Sequence, residues 1–357
     1  MINSLQSLRG IFAILIFLSH YAIGPDGHRV FYAGGTMGVE FFIVLSGFVM
    51  CAGYEKKVDS HSISYRDFMT RRLIRIYPLH LFCLATWMLC TSTFKPLHAD
   101  IVVPNLLLLQ SWFPDHKVFY GCNTPSWCLS VFLFLYAVFP LLSRFYASSK
   151  SLFTRIFTLW WIAFFIFIIV LPDDLEGDYT LWLTRIAPPV RLLDFVIGIM
   201  LWHLYVRLRD ASFARRLQSM SPLAKTLLEF LPLVLYVVAS FAFEELTNKW
   251  RSAALWWLPT ISCVMVYALM DRKGGALSWL FGRRWLVAFG NASFCFYLMH
   301  VPVISVVARG IRHFGYDPDA WTLFWISLVV AIVASMVVSR WIDDPVGRWL
   351  RRRLLRH

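Results

Sequence analysis

The sequence predicts an all-α, polytopic membrane bundle of about ten spanning helices with both termini cytoplasmic. Three observations carry this. Hydrophobic residues make up 59% of the 357-residue chain and charged residues only 15%, whereas soluble proteins are about 45–50% apolar. Mean hydropathy is +0.61. The apolar residues gather into runs near the roughly 20 residues a bilayer requires, and Lys and Arg fall in bursts between them.

The runs lie at 8–23, 36–54, 73–92, 126–145, 152–171, 188–208, 223–243, 252–270, 284–309 and 320–341. A further stretch, 101–112, contains Pro104 and is too short to span, so it reads as an interfacial or re-entrant piece. The first run has small residues near Ala22–Gly24 that suit a signal-peptide cleavage site. Its charge before the apolar core is weak and a histidine sits inside it, so it reads as a retained helix. No repeat, low-complexity tract or long soluble insert interrupts the pattern.

The net charge of +13 does not point to nucleic acid, because the basic residues sit between apolar runs, where they set orientation. With the N terminus in the cytoplasm, the bursts at 56–75, 207–225, 272–284 and 340–356 share the inner side, whereas the outer connection 172–180 is acidic. The Arg-rich tail after Pro345 then faces anionic lipid. Of the seven Cys, Cys51, Cys83, Cys263 and Cys295 lie within apolar runs and read as small buried hydrophobes. Cys90, Cys122 and Cys128 fall near the outer side, where a bridge among them is an option. No Cys/His spacing resembles a zinc site, and no metal is expected.

Orientation assigns depth to the polar residues. The first run carries Arg9 and His20; eleven helical steps bring them to nearly the same face, roughly 16 Å apart. A charge within a membrane is costly and usually faces the bundle interior. At the outer level His20 ends the first run and Glu40 begins the second, where a carboxylate would orient the imidazole as a base. At the same level lie Trp127 and Ser130, Arg191 and Asp194, and the stripe Ser293, Tyr297 and His300. Each has a plainer reading: an interfacial anchor, an i, i+3 ion pair, interhelical hydrogen bonding. At the inner level Arg72 and Arg75, at i, i+3, form a fork suited to phosphate oxygens. The pattern suits a ligand with an anionic inner head and a reactive end reaching toward the outer histidine.

These residues carry a resemblance. LQSLRG (5–10) followed by His20, GVEFFIVLSGF (38–48), RRLIRIYP (71–78), PSWCLSV (125–131), RLLDFVIG (191–198), GNASFCFYLMHVPV (290–303) and DDPVGRWLRR (343–352) resemble, in order, the integral-membrane acyltransferase family 3. That resemblance implies one transmembrane acyltransferase domain over 1–357 with no appended soluble domain. It further implies a donor acyl-CoA, taken as acetyl-CoA, and a saccharide or glycolipid hydroxyl as acceptor. The family's Arg–His pair maps onto Arg9 and His20, its Arg-x-x-Arg pair onto Arg72 and Arg75, and its acidic residue before the FFIVLSGF run onto Glu40. One departure is plain: Cys128 stands where the family has a Ser, and Phe132 where it has a Glu.

The mechanism implied has coenzyme phosphates on Arg72, Arg75 and Arg9, and His20, oriented by Glu40, acting as general base or transient acyl carrier. Ser130, Tyr297, His300 or Arg191 could stabilise the oxyanion, and Trp127 or Asp194 could meet substrate. The partners expected are acyl-CoA, the acceptor and membrane lipids. A transporter or flippase, or an inactive relative, uses the same buried charges without chemistry.

Overall fold

The ten apolar runs fall mainly on helices, the run 252–270 being divided by a turn at 254–256. A computed structural model describes residues 2–23, 28–91, 98–172, 177–210, 212–271 and 273–355. The long helices are α1 (Asn3–His20), α2 (Ala33–Asp59) and α3 (Tyr65–Thr91). Then follow α4 (Trp127–Ser148), α5 (Lys150–Val170), α6 (Pro188–Arg209) and α7 (Pro222–Glu245). The series ends with α8 (Trp257–Met270), α9 (Arg284–His313) and α10 (Ala320–Val338). Eight helices among the described residues are long and apolar enough to cross a bilayer, so this is a multi-pass membrane protein. The other two long helices, α1 and α3, carry more polar residues, which is where part of the site lies.

Local chemistry sets the helix ends. Ser221 accepts a hydrogen bond from the Ala224 N–H at 3.2 Å, with Pro222 pre-set at the first helical position. Asp319 caps α10 by accepting from the Trp321 and Thr322 N–H groups, each at 3.0 Å. The Thr322 hydroxyl and these amides hold the Asp319 carboxyl below the usual carboxylate range. Pro188 and Pro189 open α6. Just before it, Trp182–Ile186 is a π-helical turn, a device that re-aims side chains near functional sites.

Packing depends on small residues where helices cross. A Cβ on Gly198 of α6 would lie 1.9 Å from the Val44 carbonyl oxygen, and one on Gly47 of α2 2.1 Å from that of Phe195. Helices α2 and α6 therefore touch backbone to backbone. Gly290 lets α9 approach α1 in the same way, at the Gln6 carbonyl.

The stretch 101–112 folds as the short helix Ala99–Leu106 and a 3₁₀ turn Gln110–Trp112. It clasps the start of α4: the Ser111 hydroxyl donates to the Trp127 carbonyl at 2.7 Å, and the Gln110 amide to the Ser126 carbonyl at 3.0 Å. Cys122 and Cys128 are free, buried thiols, not joined to each other. The Cys90 side chain, Arg272, Arg356 and the acidic positions 173–176 lie outside the described residues.

Candidate active site

Two neighbouring histidines are built from the last turn of α1 and the middle of α9. His20 Nδ1 lies 2.9 Å from the Ile16 carbonyl oxygen, and His300 Nδ1 2.6 Å from that of Tyr297. A carbonyl only accepts, so both Nδ1 atoms carry the hydrogen. His300 Nε2 is then a bare lone pair, and it faces His20 Nδ1 at 3.3 Å. The His20 Nδ1–H is thus shared between Ile16 and His300, and its Nε2 is the unprotonated, basic nitrogen. Packing locks the arrangement, for His300 is fully buried and stacks on Phe296 with ring centroids 6.3 Å apart.

Glu40 is not the partner of His20, which corrects the sequence expectation. Its Oε2 accepts from Arg191 Nη1 at 2.9 Å, and its Oε1 has no hydrogen-bond partner among the described residues. Arg191 Nη1 also donates to Asp194 Oδ2 at 2.7 Å, and Asp194 Oδ1 accepts from the Trp257 indole at 2.6 Å. The remaining Arg191 donors reach the Arg185, Thr184 and Ser252 carbonyls at 2.7, 3.0 and 2.7 Å. All five guanidinium N–H groups are taken, leaving none for an oxyanion. The physical reason is proximity: the tight α2–α6 contact brings a guanidinium to Glu40, and a buried carboxylate takes the charge nearest to it.

A cavity of about 200 Å³ lies between α1, α2, α3, α4 and α9. Arg9, Arg72 and Arg75 line it, with Val39, Phe42, Phe132, Ser293 and Tyr297 on its walls. Along α2 its lining runs from Met50 to Val39, roughly 16 Å at 1.5 Å per residue. The Arg72 guanidinium donates to the Tyr54 hydroxyl and sits over its ring, 4.5 Å from the centroid. Arg75 pairs with Asp343 at 2.5 Å and stacks on Phe294, so one arm of the fork carries a counter-ion. Ser293 Oγ is buried without a hydrogen-bond partner among the described residues.

His20 is not on the cavity wall. Tyr297 is, and its carbonyl holds His300. The Tyr297 hydroxyl donates to the Pro125 carbonyl at 2.8 Å, tying α9 to the start of α4. Ser130 Oγ accepts from the Ser111 N–H at 3.4 Å, so Ser130 and the Trp127 carbonyl both join the clasp over α4. Phe132, in the position of the family carboxylate, makes the middle of the cavity apolar.

Sequence reasoning missed Arg185. Its guanidinium lies 5.9 Å from the Trp127 ring and 3.7 Å from the Cβ position of Gly35, one side of the turn that holds His20. Its Nε is buried without a hydrogen-bond partner among the described residues. The only available signal was an arginine between two apolar runs, and the π-helical turn on which it sits is not visible in the residues.

The profile of the Acyltransferase domain family matches residues 2–340. A protein of Streptomyces mycarofaciens named Acyltransferase MdmB is 30% identical over 98% of this chain and 92% of its own length. YrhL of Bacillus subtilis, provisionally named a peptidoglycan O-acetyltransferase, is 23% identical over 91% of this chain and 55% of its own. A Staphylococcus aureus protein (strain COL), SACOL0978, provisionally named an O-acetyltransferase, is 22% identical over 96% and 57%. The chain spans little more than half the length of the last two relatives. No solved structure matches.

Proposed function

The chain belongs to the acyltransferase family whose profile it matches, and from that premise we propose that it moves an acyl group, acetyl in the simplest case, from acyl-CoA to a hydroxyl of a saccharide or glycolipid. In this reading residues 1–357 act as one acyltransferase domain in the cell membrane, with the arginine-lined end of the cavity and both termini cytoplasmic. One observation carries the proposal: a single residue of α9, Tyr297, lines the arginine-edged cavity and holds His300, the neighbour of His20, with its carbonyl.

The coenzyme phosphates dock on Arg72, Arg9 and the outer face of the Arg75–Asp343 pair, where guanidinium groups meet phosphate oxygens as charged donors. The thioester arm lies along the apolar wall past Phe132 toward Tyr297. His20 Nε2 takes the proton of the acceptor hydroxyl as its oxygen attacks the thioester carbonyl. The carbon–sulfur bond then breaks, and the imidazolium returns the proton to the coenzyme thiolate, so acyl-S-CoA and an alcohol become an ester and free thiol. His300 acts on His20 rather than on substrate: its bare Nε2 holds the Nδ1–H tautomer. Ser293 and Arg185 are the free donors nearest this path, and Glu40, Arg191 and Asp194 hold the surrounding helices.

The test uses purified protein, labelled acetyl-CoA and free-thiol detection. Release of coenzyme thiol that depends on His20 supports an acyltransferase. Donor binding without thiol release, unchanged in His20→Ala, overturns it in favour of a carrier.

A further inference from the structure

Beside the arginine end of α2, away from the histidine pair, three side chains of different chemistry converge. Cys51 and Glu55 stand at i, i+4 on one face of α2, and His203 faces them from α6. The Cys51 thiol, a Glu55 carboxylate oxygen and a His203 ring nitrogen all lie within 4.8 Å of one another. The crossing at Gly47 and Gly198 brings the two backbones close enough for this. Cys51 is buried and free, and the other two are partly open to solvent.

The pair geometry is informative. His203 Nε2 lies 3.1 Å from Glu55 Oε1, yet Nε2 is buried without a well-aligned hydrogen-bond partner among the described residues. The two make a close but poorly aligned ion pair, which leaves lone pairs free to turn toward a shared cation. Both are also held from behind. The Trp202 indole donates to the second Glu55 oxygen at 3.0 Å, and the His203 ring stacks on Tyr146 with centroids 3.7 Å apart and planes 11° apart. Such outer contacts orient ligands before the metal arrives.

We propose that Cys51, Glu55 and His203 bind a zinc ion that clamps α2 to α6. One thiolate, one imidazole and one carboxylate make a donor set suited to zinc rather than to calcium or magnesium, which take oxygen ligands. Zinc bonds of about 2.0–2.3 Å place tetrahedral ligands some 3.3–3.8 Å apart, so the imidazole and carboxylate, 3.1 Å apart, need part only slightly while the thiol, within 4.8 Å of both, draws in. Water from the partly open side takes the fourth position. On binding, the Cys51 thiol loses its proton to solvent and forms the sulfur–zinc bond, with no change of oxidation state. Met50, the neighbour of Cys51, lines the cavity, so the clamp steadies the wall that contains the arginines.

The full-length protein, purified in detergent without a polyhistidine tag, is loaded with zinc, dialysed and analysed for metal. About one zinc per chain is expected, falling at least tenfold in Cys51→Ser and in His203→Asn and unchanged in Cys263→Ser. Cobalt loading of the unaltered protein should give thiolate-to-cobalt absorption, which decides the matter even where a variant fails to fold. Absence of both zinc and that absorption in the folded protein leaves the Glu55–His203 pair as a simple interhelical contact and overturns the proposal, as does full zinc retention in Cys51→Ser. None of these readouts depends on acyl transfer.

Discussion

The histidine pair and the Arg191 cluster occupy neighbouring parts of one bundle, and both consist of polar residues embedded in apolar helices. They differ in how completely their hydrogen-bonding capacity is used. Arg191 spends all five donors on two carboxylates and three carbonyls. His20 has only its Nδ1–H engaged, so Nε2 remains available. A saturated charge is a fastener, because any new partner must displace an old one. An oriented group with one lone pair unspent is what proton transfer requires.

The sharpest way to break this comparison is His20→Ala. Turnover should fall about 10²- to 10⁴-fold, the usual worth of a general base, with the thermal unfolding midpoint nearly unchanged; retained turnover removes His20 from the chemistry. Glu40→Ala should do the opposite, costing about 3–5 kcal/mol of stability by leaving a buried guanidinium short of a partner. A Glu40→Ala protein with wild-type unfolding and lost turnover would move Glu40 to the catalytic side.

Arg72→Ala should raise the KM for acyl-CoA about tenfold while kcat holds, the size expected for one charged hydrogen bond. His300→Ala should lower kcat about fivefold, on the scale of one hydrogen bond, and His300→Gln should recover much of it, because an amide oxygen can accept the His20 Nδ1–H. Equal losses in both variants would mean that His300 matters only for packing. Ser293→Ala is the mildest, with a loss of about two- to threefold in kcat expected, the low end of the worth of one neutral hydrogen bond.

Much of this architecture was legible in the residues, because bilayer spans advertise themselves by length and apolarity: the ten runs from 8–23 to 320–341 fall mainly on helices. The two levels of polar residues were legible too, since height along a helix follows from position in the run. Partnership was not. Glu40 stood at the right height to meet His20, but height leaves direction around the helix axis open. The Gly47–Gly198 crossing turned it to Arg191, and the approach of α9 to α1 at Gly290 brought His300 to His20 instead. Asp343 beside Arg75 lay far away in the chain and gave no local signal.

Hydropathy, charge bursts and contiguous motifs, all properties of neighbouring residues, were enough to specify a multi-pass helical membrane protein of the acyltransferase family. Only the tertiary structure decided which imidazole meets which, that Arg191 is saturated, and that Cys51, Glu55 and His203 converge. Those outcomes depend on the rotation and closest approach of helices distant in the chain. Glycines set those approaches, and no periodicity along a single helix encodes them.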